Sequence, residues 1–575
     1  MIETTLLSPG LLAQETDLSF IGQKPVVVGA AIVGPTVLGQ VGVPTVVTTY
    51  SDFTSRFGST IKSGSATNSK VFTYFTSIAA YNYFLNGGQS LLVTRVASGS
   101  YTPASHAIVA SGSATAFTLE TISEGTIMNS GDAVIAGTTG SLVSGSVDNI
   151  RWQITNANSG SGKFDLVIRR GNDSDLQPSV LESFSGLNLD PYSPNYVAKV
   201  IGDIKEAYDS TNNQLVYSGS FVNKSRYVRI KDVLLTTPNF FDNDGRISNV
   251  AYTSSIPLNA SGGFAGATGT IKDGTLFYEN ITETNAQGLE AANYTNALAL
   301  LNNKDDYQFN MMVTPGLFSE YNTHKVKIDA IISSAESRGD FVSVIDPLNY
   351  SVTATPDAAV TQASNFNTSY GAMYFPWLMV VDPNTAQFVW VPASTLIPSI
   401  FAFNDSVSEP WFAPAGINRG GLNTVVRAQQ KLSQSSRNTL YGGKVNPIAT
   451  FPGQGVAAYG QKTLQTKASA LDRINVRRLL IDVKNQVGKI ANSLLFEQNT
   501  SATRNIFLSQ VNPLLTSIQQ RQGLYAFKVV MDDTLNSPDV IDRNELKGQI
   551  YLQPTKTIEF IYIDFIITPT GATFS

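Results

Sequence analysis

The sequence predicts a multi-domain α/β protein that carries an inserted, mostly β domain and ends in an α+β region. Three observations support this fold class. Strand-like and helix-like segments alternate in residues 25–96 and again from about Ala260 onward. Between them, residues 98–253 are rich in Gly, Ser, Thr and Asn and contain only short alternating runs. Near the C-terminus, two helix-like segments are followed by strands.

Length and composition indicate a large globular protein. The chain has 575 residues, which is enough for roughly two to four hydrophobic cores. Its net charge of only −5 argues against a dedicated nucleic-acid binder, because such proteins carry a basic excess on at least one domain. The absence of cysteine excludes thiolate chemistry and Cys-ligated metals, and it favours assembly in the cytosol.

The two ends of the chain suggest neither a signal peptide nor a membrane span. Residues 1–22 are predicted to be an extended arm, because Ser8-Pro9-Gly10 breaks a helix. Met1 to Leu7 lack both the basic and the apolar part of a signal peptide. The most apolar run, Ile558 to Ile567, contains two acidic residues and has about half the length of a membrane span. We therefore expect a soluble chain.

The first α/β part is predicted over residues 23–97. Pro25 to Gly29 and Val46 to Tyr50 are typical of buried strands, since they are β-branched runs bounded by Pro or Gly. Val71 to Leu85 has aromatic and small apolar residues at helical spacing, and Ser90 to Val96 is again a strand pattern. A strand, a helix and a strand of these lengths predict an α/β layer.

Residues 98–253 are predicted to form an inserted, mostly β domain on the surface. The second α/β part then covers residues 254–455 and has two predicted helices and two predicted strands. These are a helix at Asn293–Leu301, a strand at Tyr307–Thr314 ending at Pro315-Gly316, a helix at His324–Arg338 and a strand at Phe341–Ile345. This alternation favours a sheet with helices on both faces.

Residues 456–556 are predicted to form a C-terminal α+β domain, followed by a linker strand and tail at 557–575. Leu471 to Phe496 is the clearest amphipathic helix of the chain. A second helix should start after Thr500 and be kinked or split at Pro513. The remaining pattern predicts strands at Tyr525–Met531, Gln549–Gln553 and Ile558–Ile567.

Three of the four tryptophans lie in one short stretch, each close to a proline. Trp supplies a large apolar area and Pro fixes the backbone where the chain turns, so this pattern predicts a packing framework. Nothing in the stretch is a nucleophile, a metal ligand or a phosphate-binding loop. The framework residues are Trp377, Trp390, Trp411, Pro376, Pro392 and Pro414.

This stretch resembles the core of contractile tail sheath proteins of phages and related injection machines. In that family a YxPW…WVP.S…AP.G series follows an RGD…iD.P segment, here Arg338-Gly339-Asp340 to Asp346-Pro347. Leu7-Ser8-Pro9-Gly10 is similar to the N-terminal arm of the family. The chain departs from the pattern at Tyr459–Thr463, where the family has Trp-Gly-x-Arg-Thr, and it lacks a basic residue shortly before Trp411.

The resemblance implies a fold, a function and a set of partners. It implies a sheath core with subtilisin-like layering and a structural, non-enzymatic subunit without cofactors. Copies would stack as hexameric rings around an inner tube and contract from a metastable extended state. The implied partners are other copies of the chain, the tail tube protein, and baseplate and tail terminator proteins, with no nucleic acid and no membrane insertion. The implied location is the contractile tail of a virion, assembled in the bacterial cytoplasm.

Both chain ends are implied to be inter-subunit linkers that complete the sheet of a neighbouring copy. The C-terminal run is apolar on both faces, so it requires burial on both sides. The alternative is a central strand within its own domain. The linker residues are Leu6, Leu7, Leu11, Leu12, Ile558, Phe560, Ile561, Tyr562, Ile563, Phe565 and Ile567.

Arg473, Arg477 and Lys484 fall within about 40° of one another on the predicted helix. In a sheath, this basic stripe could face an acidic inner tube. The alternative interpretation is an ordinary solvated helix edge. Single exposed contacts of this kind contribute about 0–1 kcal/mol each, so they would hold a tube only in large numbers.

No catalytic, cofactor-binding or metal-binding residue is predicted. A Ser-His-Asp site could use only His106 or His324, and neither has a nucleophile motif nearby; we expect incidental surface histidines. Residues 262–269 lack the spacing of a phosphate-binding loop and are expected to be a flexible turn. Asp532-Asp533 is expected to be a solvated turn and not a cation site.

Three alternatives to a phage sheath stay open. The nearest is the sheath of a non-phage contractile injection system. A β-rich adhesin or capsid decoration protein would share the Gly/Ser/Thr-rich insertion but not the two C-terminal helices. An enzyme is the most distant alternative, and hydrolase screening of the purified monomer would test it.

Overall fold

The structure, a computed structural model, describes residues 29–63, 70–129, 135, 139–240, 249–271, 278–560 and 562. Several sequence predictions lie outside these residues. They are the N-terminal arm with Leu6, Leu7, Leu11 and Leu12, most of the strand at Pro25–Gly29, and the C-terminal residues Ile561, Ile563, Phe565 and Ile567.

Residues 30–95 form the first α/β part. The second strand is followed almost at once by the first helix. Thr49 caps this helix, because its side chain accepts the Asp52 backbone N–H. The predicted strand at Val46–Tyr50 is therefore shorter than expected, and the helix predicted from Val71 begins only at Phe75. In chain order the elements are β1 (Ala30–Gly34), β2 (Thr45–Val47), α1 (Tyr50–Phe57), β3 (Ile61–Ser63), β4 (Lys70–Phe72), α2 (Phe75–Leu85) and β5 (Leu91–Arg95).

The inserted region is built almost entirely of strands around one apolar core that contains Phe117, Trp152 and Phe164. Two of its sheets have the strand orders β10-β9-β8-β14 and β13-β7-β6, and β11 pairs with β12. Its elements are β6 (Pro103–Val109), β7 (Thr115–Glu124), β8 (Ile150–Asn158), β9 (Lys163–Arg170), β10 (Val180–Leu187), α3 (Val197–Ile201), β11 (Lys205–Asp209), β12 (Gln214–Ser218), β13 (Val228–Val233) and β14 (Ala260–Gly263).

The insertion extends further along the chain than predicted. β14 pairs antiparallel with β8, from Ala260 opposite Ile154 to Gly263 opposite Arg151. Thr102 and Thr268 form a further antiparallel bridge at the base of the insertion. The expectation that the second α/β part resumes near Ala260 was therefore wrong, as was the expectation of a flexible turn at Gly262-Gly263. The chain enters and leaves the inserted domain side by side.

One buried cation joins this domain to the rest of the chain. Arg95 is the last residue of β5, and its guanidinium donates to the carbonyl oxygens of Gly39 and Glu124 at 2.5 and 2.9 Å. Gly39 lies between β1 and β2 in the first α/β part, and Glu124 ends β7 in the insertion. The two domains are thus connected through hydrogen bonds of a side chain that has almost no contact with water.

The second α/β part supplies most of the central sheet. Pro315-Gly316 does not end the predicted strand at Tyr307–Thr314, because the strand continues past it with an irregular register. The elements are α4 (Thr295–Leu301), β15 (Met311–Phe318), α5 (Asn322–Arg338), β16 (Val342–Asp346), α6 (Pro356–Ser364), β17 (Gly371–Phe375), β18 (Leu378–Val381), β19 (Phe388–Val391), α7 (Ile397–Val407), β20 (Val425–Ala428), α8 (Gln434–Gly442), β21 (Val445–Phe451) and β22 (Gly455–Ala458).

The central sheet has eight strands in the order β2-β5-β1-β15-β16-β17-β21-β22. Its six middle strands are parallel, and its two edge strands are antiparallel to their neighbours. Helices α2 and α7 pack on one face, and α4, α5, α6 and α8 pack on the other. The predicted α/β class is confirmed. The domain boundary was expected between residues 455 and 456. Both residues belong to β22, so this expected boundary would cut through a strand of the central sheet.

The C-terminal region packs two helices against a two-stranded sheet. Its core contains Leu479, Val483, Phe507, Val511 and Leu515. Thr500 caps the second helix as predicted, but Pro513 lies inside this helix without splitting it. The elements are α9 (Ile474–Asn492), α10 (Ser501–Gln520), β23 (Leu524–Val530), α11 (Pro538–Asp542) and β24 (Gln549–Pro554).

Candidate functional site

Two parts of the motif series meet at the carboxyl end of β16. Asp346 is the last residue of this strand, and its carboxylate accepts the Ser394 backbone N–H at 3.0 Å and the Ser394 hydroxyl. Burial raises the pKa of Asp346 to about 7, although the two hydrogen bonds from Ser394 act to lower it. The central sheet therefore holds a buried carboxyl group that changes charge near neutral pH.

Trp377, the first tryptophan of the motif series, packs against Phe318, which pairs with Asp346 across β15 and β16. Trp377 is buried, stacks on Phe318 at 5.5 Å between ring centroids, and donates its indole N–H to the Leu348 carbonyl oxygen at 2.9 Å. Trp390 is half-buried and lies 5.6 Å from Tyr350. The three neighbouring prolines Pro376, Pro392 and Pro414 are all buried.

Trp411 lies in a different core. It packs with the apolar residues of α9 and α10, and its indole N–H donates to the Arg521 carbonyl oxygen at 3.0 Å. The Asn475 side chain of α9 donates to the Trp411 carbonyl oxygen at 3.2 Å. The tryptophan stretch therefore spans two packing units, and its third member ties the central sheet to the C-terminal domain.

The Arg338-Gly339-Asp340 segment is a buried clasp at the end of α5. The Arg338 guanidinium contacts the Asp340 carboxylate through two hydrogen bonds of 3.0 and 2.8 Å, and it also donates to the carbonyl oxygens of Leu301 and Tyr307. Gly339 ends the helix with φ of 69°, a left-handed conformation that favours glycine. The segment thus fixes the loop after α4 against the sheet.

Neither histidine occupies a catalytic arrangement in the described residues. His324 is fully buried, its Nδ1 accepts the Phe318 backbone N–H at 3.2 Å, and its Nε2 has no partner. Burial lowers the pKa of His324 to about 4. The expectation of a surface histidine was wrong here, because α5 packs this side chain against β15. His106 is partly buried and lies against the Trp152 ring at 4.7 Å.

The basic stripe predicted on α9 is not a single exposed row. Arg477 is buried, and its guanidinium contacts the Ser369 hydroxyl and lies 4.1 Å from the centre of the Tyr370 ring. Arg473 directly precedes the first residue of α9 and pairs with Asp472 at 2.9 Å. Only Lys484 of the three is exposed, with Lys489 one turn further along the helix. The prediction fails for Arg477 because residues far away in sequence cover it.

The β23–β24 sheet is the most open element of the C-terminal domain. Across the described residues, each of its strands pairs only with the other, so both outer edges lack a partner. One face packs on the α10 side through Phe527 and Leu552, while Tyr525 and Tyr551 are exposed. Asp532, in the turn after β23, accepts the Thr534 hydroxyl and backbone N–H, and Asp533 pairs with Arg504 at 2.8 Å.

Glu559 is a site residue that sequence analysis missed, since its partners are distant in sequence. Its two carboxylate oxygens accept Nε and Nη2 of Arg473 at 2.7 and 3.0 Å. The Gln461 side-chain amide and the Tyr441 hydroxyl also donate to it, at 3.1 and 2.9 Å. Burial acts to raise the pKa of Glu559, but the hydrogen bonds from these three residues outweigh burial and lower it.

The remaining chemistry is limited within the described parts of the chain. No group of three or more His, Cys, Asp or Glu side chains could hold a metal ion there. Among the helices in these residues, none has both the length and the apolar character of a membrane span. The Gly262–Gly263 segment belongs to β14 and forms no phosphate-binding loop.

Two protein domains match known family domains. Residues 287–464 match the phage tail sheath protein central domain, and residues 466–568 match the phage tail sheath C-terminal domain. The two matches meet shortly after β22, the last strand of the central sheet.

Curated proteins similar to this chain are tail sheath proteins of phages. That of Vibrio phage KVP40 is 39% identical over 237 residues, which cover 41% of this chain and 35% of that protein. That of Enterobacteria phage T4 is 34% identical over 262 residues, covering 42% of this chain and 39% of that protein. The chain thus spans less than half the length of these relatives.

Solved structures add a similarity of fold. The crystal structure of a sheath tail protein from Listeria innocua matches with a TM-score of 0.51, covering 92% of this chain and 96% of that chain at 10% sequence identity. The matches of the central and C-terminal domains confirm the resemblance found in the sequence motifs. In residues 287–464 and 466–568, the chain is therefore similar to phage tail sheath proteins.

Proposed function

We propose that this chain is the structural subunit of a contractile tail sheath. Copies would polymerise as stacked rings around an inner tube and contract from a metastable extended state, driving the tube through a bacterial envelope. The similarity of residues 287–464 and 466–568 to phage tail sheath domains supports the general role. The observation that carries the assembly mechanism is the two-stranded β23–β24 sheet, whose outer edges have no partner in the described residues.

An open sheet edge is a template for a further strand. A two-stranded sheet is marginal by itself, and added strands would complete it. The segment after β24 supplies a suitable strand, because Ile558, Phe560 and Tyr562 alternate with other residues and are 83%, 67% and 90% exposed. We propose that these residues, with Ile561, Ile563, Phe565 and Ile567, add to the sheet of a neighbouring copy. Residues 1–22 would add in the same manner.

The domain organisation follows the predicted one with two shifted boundaries. The linker arm at 1–22, the core at 23–97 and the linker at 557–575 are kept as proposed. The inserted domain would extend to about residue 268, because β14 and the Thr102–Thr268 bridge belong to it. The C-terminal domain would begin at about residue 465, after β22. A parallel sheet with helices on both faces is compatible with subtilisin-like layering.

The further partners follow from the family. Rings would be hexameric, and the chain would contact the tail tube, baseplate and tail terminator proteins in the contractile tail of a virion assembled in the bacterial cytoplasm. Lys484 and Lys489 are the exposed cations of α9 that could contact an acidic tube. Subunits would move mainly as rigid bodies during contraction, with the strand linkers keeping them connected.

Electron microscopy of truncated chains tests the strand exchange. The full-length chain, a chain lacking residues 1–22 and a chain lacking residues 557–575 would each be mixed with tail tube as a template. We expect sheathed tubes only from the full-length chain, while both truncated chains stay folded monomers by circular dichroism. As a matched control, deletion of the β11–β12 hairpin of the inserted domain should leave polymerisation intact. Normal sheaths from a truncated chain would refute the proposal.

A further inference from the structure

We infer that Glu559, held by Arg473, Gln461 and Tyr441, is an anchor that fixes the point at which the C-terminal linker leaves its own subunit. The inference rests on the proposed function, since it assigns a positioning role to a residue at the root of the proposed linker. Glu559 would act through its position, without contacting the neighbouring copy itself.

The contrast between Glu559 and its neighbours supports an anchor. The side chains of Ile558 and Phe560 are largely exposed, whereas the Glu559 side chain between them is only 17% exposed. Across residues 558–560, the two apolar side chains therefore face outward and the acidic side chain faces inward. Its contact with Arg473 is a charge-assisted, bidentate pair of hydrogen bonds, which is among the strongest that side chains make.

The three donors lie in different parts of the fold, so together they fix the position of the Glu559 carboxylate. Tyr441 belongs to α8 on the central sheet, Gln461 follows β22, and Arg473 directly precedes α9. Gln461 also donates to the Thr557 hydroxyl at 2.6 Å. One carboxylate thus ties the chain to the junction between the central sheet and the C-terminal domain.

The need to balance the positive charge of Arg473 does not by itself explain why Glu559 binds it. Arg473 already pairs with Asp472, the preceding residue, at 2.9 Å. Glu559 adds a second carboxylate and does so with both of its oxygens. A distant acidic residue held by four hydrogen bonds is better explained by the placement of residues 557–560 than by the charge of Arg473.

The anchor sets the length of the free linker. With Glu559 bound, the proposed linker would begin at residue 560, and residues 560–575 could reach at most about 55 Å if fully extended. Without the anchor, the nearest remaining contacts are that of the Thr557 hydroxyl, which accepts the Gln461 amide at 2.6 Å, and that of the Thr555 N–H, which donates to the Gly523 carbonyl oxygen at 3.2 Å. A longer tether lowers the effective concentration of the strand at its acceptor edge. Loss of the anchor should therefore weaken assembly even though the strand is unchanged.

Trypsin provides a direct test, because Lys556 is the last basic residue of the chain and is exposed. Cleavage after Lys556 requires local release of the segment that Thr555, Thr557 and Glu559 hold. In the full-length monomer, Glu559→Gln and Arg473→Gln should each accelerate this cleavage by about tenfold or more. Glu545→Gln, which removes an exposed carboxylate of the same domain, is the matched control and should leave the rate unchanged.

Combining the two changes separates an anchor from general destabilisation. If Glu559 and Arg473 act on each other, the double variant should cleave about as fast as either single variant. Additive acceleration, or no acceleration, would overturn the inference whatever the variants do in assembly.

Assembly with tail tube is then measured on the same variants. Fewer or shorter sheaths from Glu559→Gln support the positioning role, and normal sheaths despite faster cleavage overturn it. A failure of the proposed function has a different result, since the chain lacking residues 557–575 would then form normal sheaths.

Discussion

Replacing Asp346 by Asn should stabilise the protein relative to the natural chain, and this gain in the free energy of unfolding should be larger at alkaline pH than at acidic pH. The Asn side chain has nearly the same shape and can still accept the Ser394 backbone N–H. Only the charge is removed. Among the described residues, no Lys or Arg forms an ion pair with Asp346, so its ionised form is buried without a compensating positive charge.

The magnitude follows from the pKa of Asp346, which burial raises from 3.8 to about 7. A carboxyl group with a raised pKa contributes stability that is fully present below about pH 4 and is lost as pH rises through 7. At 1.36 kcal/mol per pKa unit, the whole change amounts to about 4 kcal/mol. Between pH 5 and pH 8, the advantage of Asp346→Asn over the natural chain should grow by about 2–3 kcal/mol.

Urea unfolding followed by tryptophan fluorescence measures this difference at both pH values. Comparing the variant with the natural chain cancels the effects of other groups, including His324. Asp305→Asn, which changes an exposed carboxylate, is the control and should show no such pH-dependent gain. A difference between Asp346→Asn and the natural chain that is constant from pH 5 to pH 8 would refute the assignment of a buried proton to Asp346.

Other contacts lead to three further predictions. Arg338→Met should destabilise the chain by about 3–5 kcal/mol in urea unfolding, because Asp340 is left as a buried unpaired charge; adding Asp340→Leu should recover part of the loss, and no recovery would contradict the clasp. Trp411→Ala should cost about 3–5 kcal/mol and increase hydrogen exchange in α9 and α10 first, whereas uniform exchange would contradict its placement. His324 has a pKa lowered to about 4, so the natural chain should lose stability relative to His324→Gln as pH falls from 6.5 to 4; thermal unfolding across this range checks the sign.

Local pattern predicted the regular elements well. The apolar spacing of Leu471–Phe496 predicted α9, which runs from Ile474 to Asn492 and begins directly after Arg473, whose backbone is extended. Pro513 was expected to kink or split α10, and local propensity alone justifies that expectation. The helix continues because Val511 and Leu515, on either side of Pro513, are fully buried. Burial in the domain core outweighs the lost backbone hydrogen bond.

Long-range contacts explain what the sequence could not predict. Helical spacing placed Arg477 on a basic edge, but Ser369 and Tyr370 cover it from more than a hundred residues away. The motif spacing singled out Asp346 without indicating that Ser394 would be its partner. Glu559 looked like an interruption of an apolar strand, and its partners lie 86 and more residues away. Each of these roles depends on the tertiary arrangement and not on neighbouring residues.

Because Thr102 and Thr268 pair with each other, the chain enters and leaves the inserted domain at neighbouring positions, and another domain could be inserted there. Opposite residues of an antiparallel pair are about 5 Å apart, so a short turn could close the chain where some 165 residues now stand. A foreign domain whose ends lie equally close could replace the insertion without altering the path of the central sheet. In a repeating polymer, each such graft would be displayed once per copy at a regular spacing, which makes these two positions suitable for building ordered protein arrays.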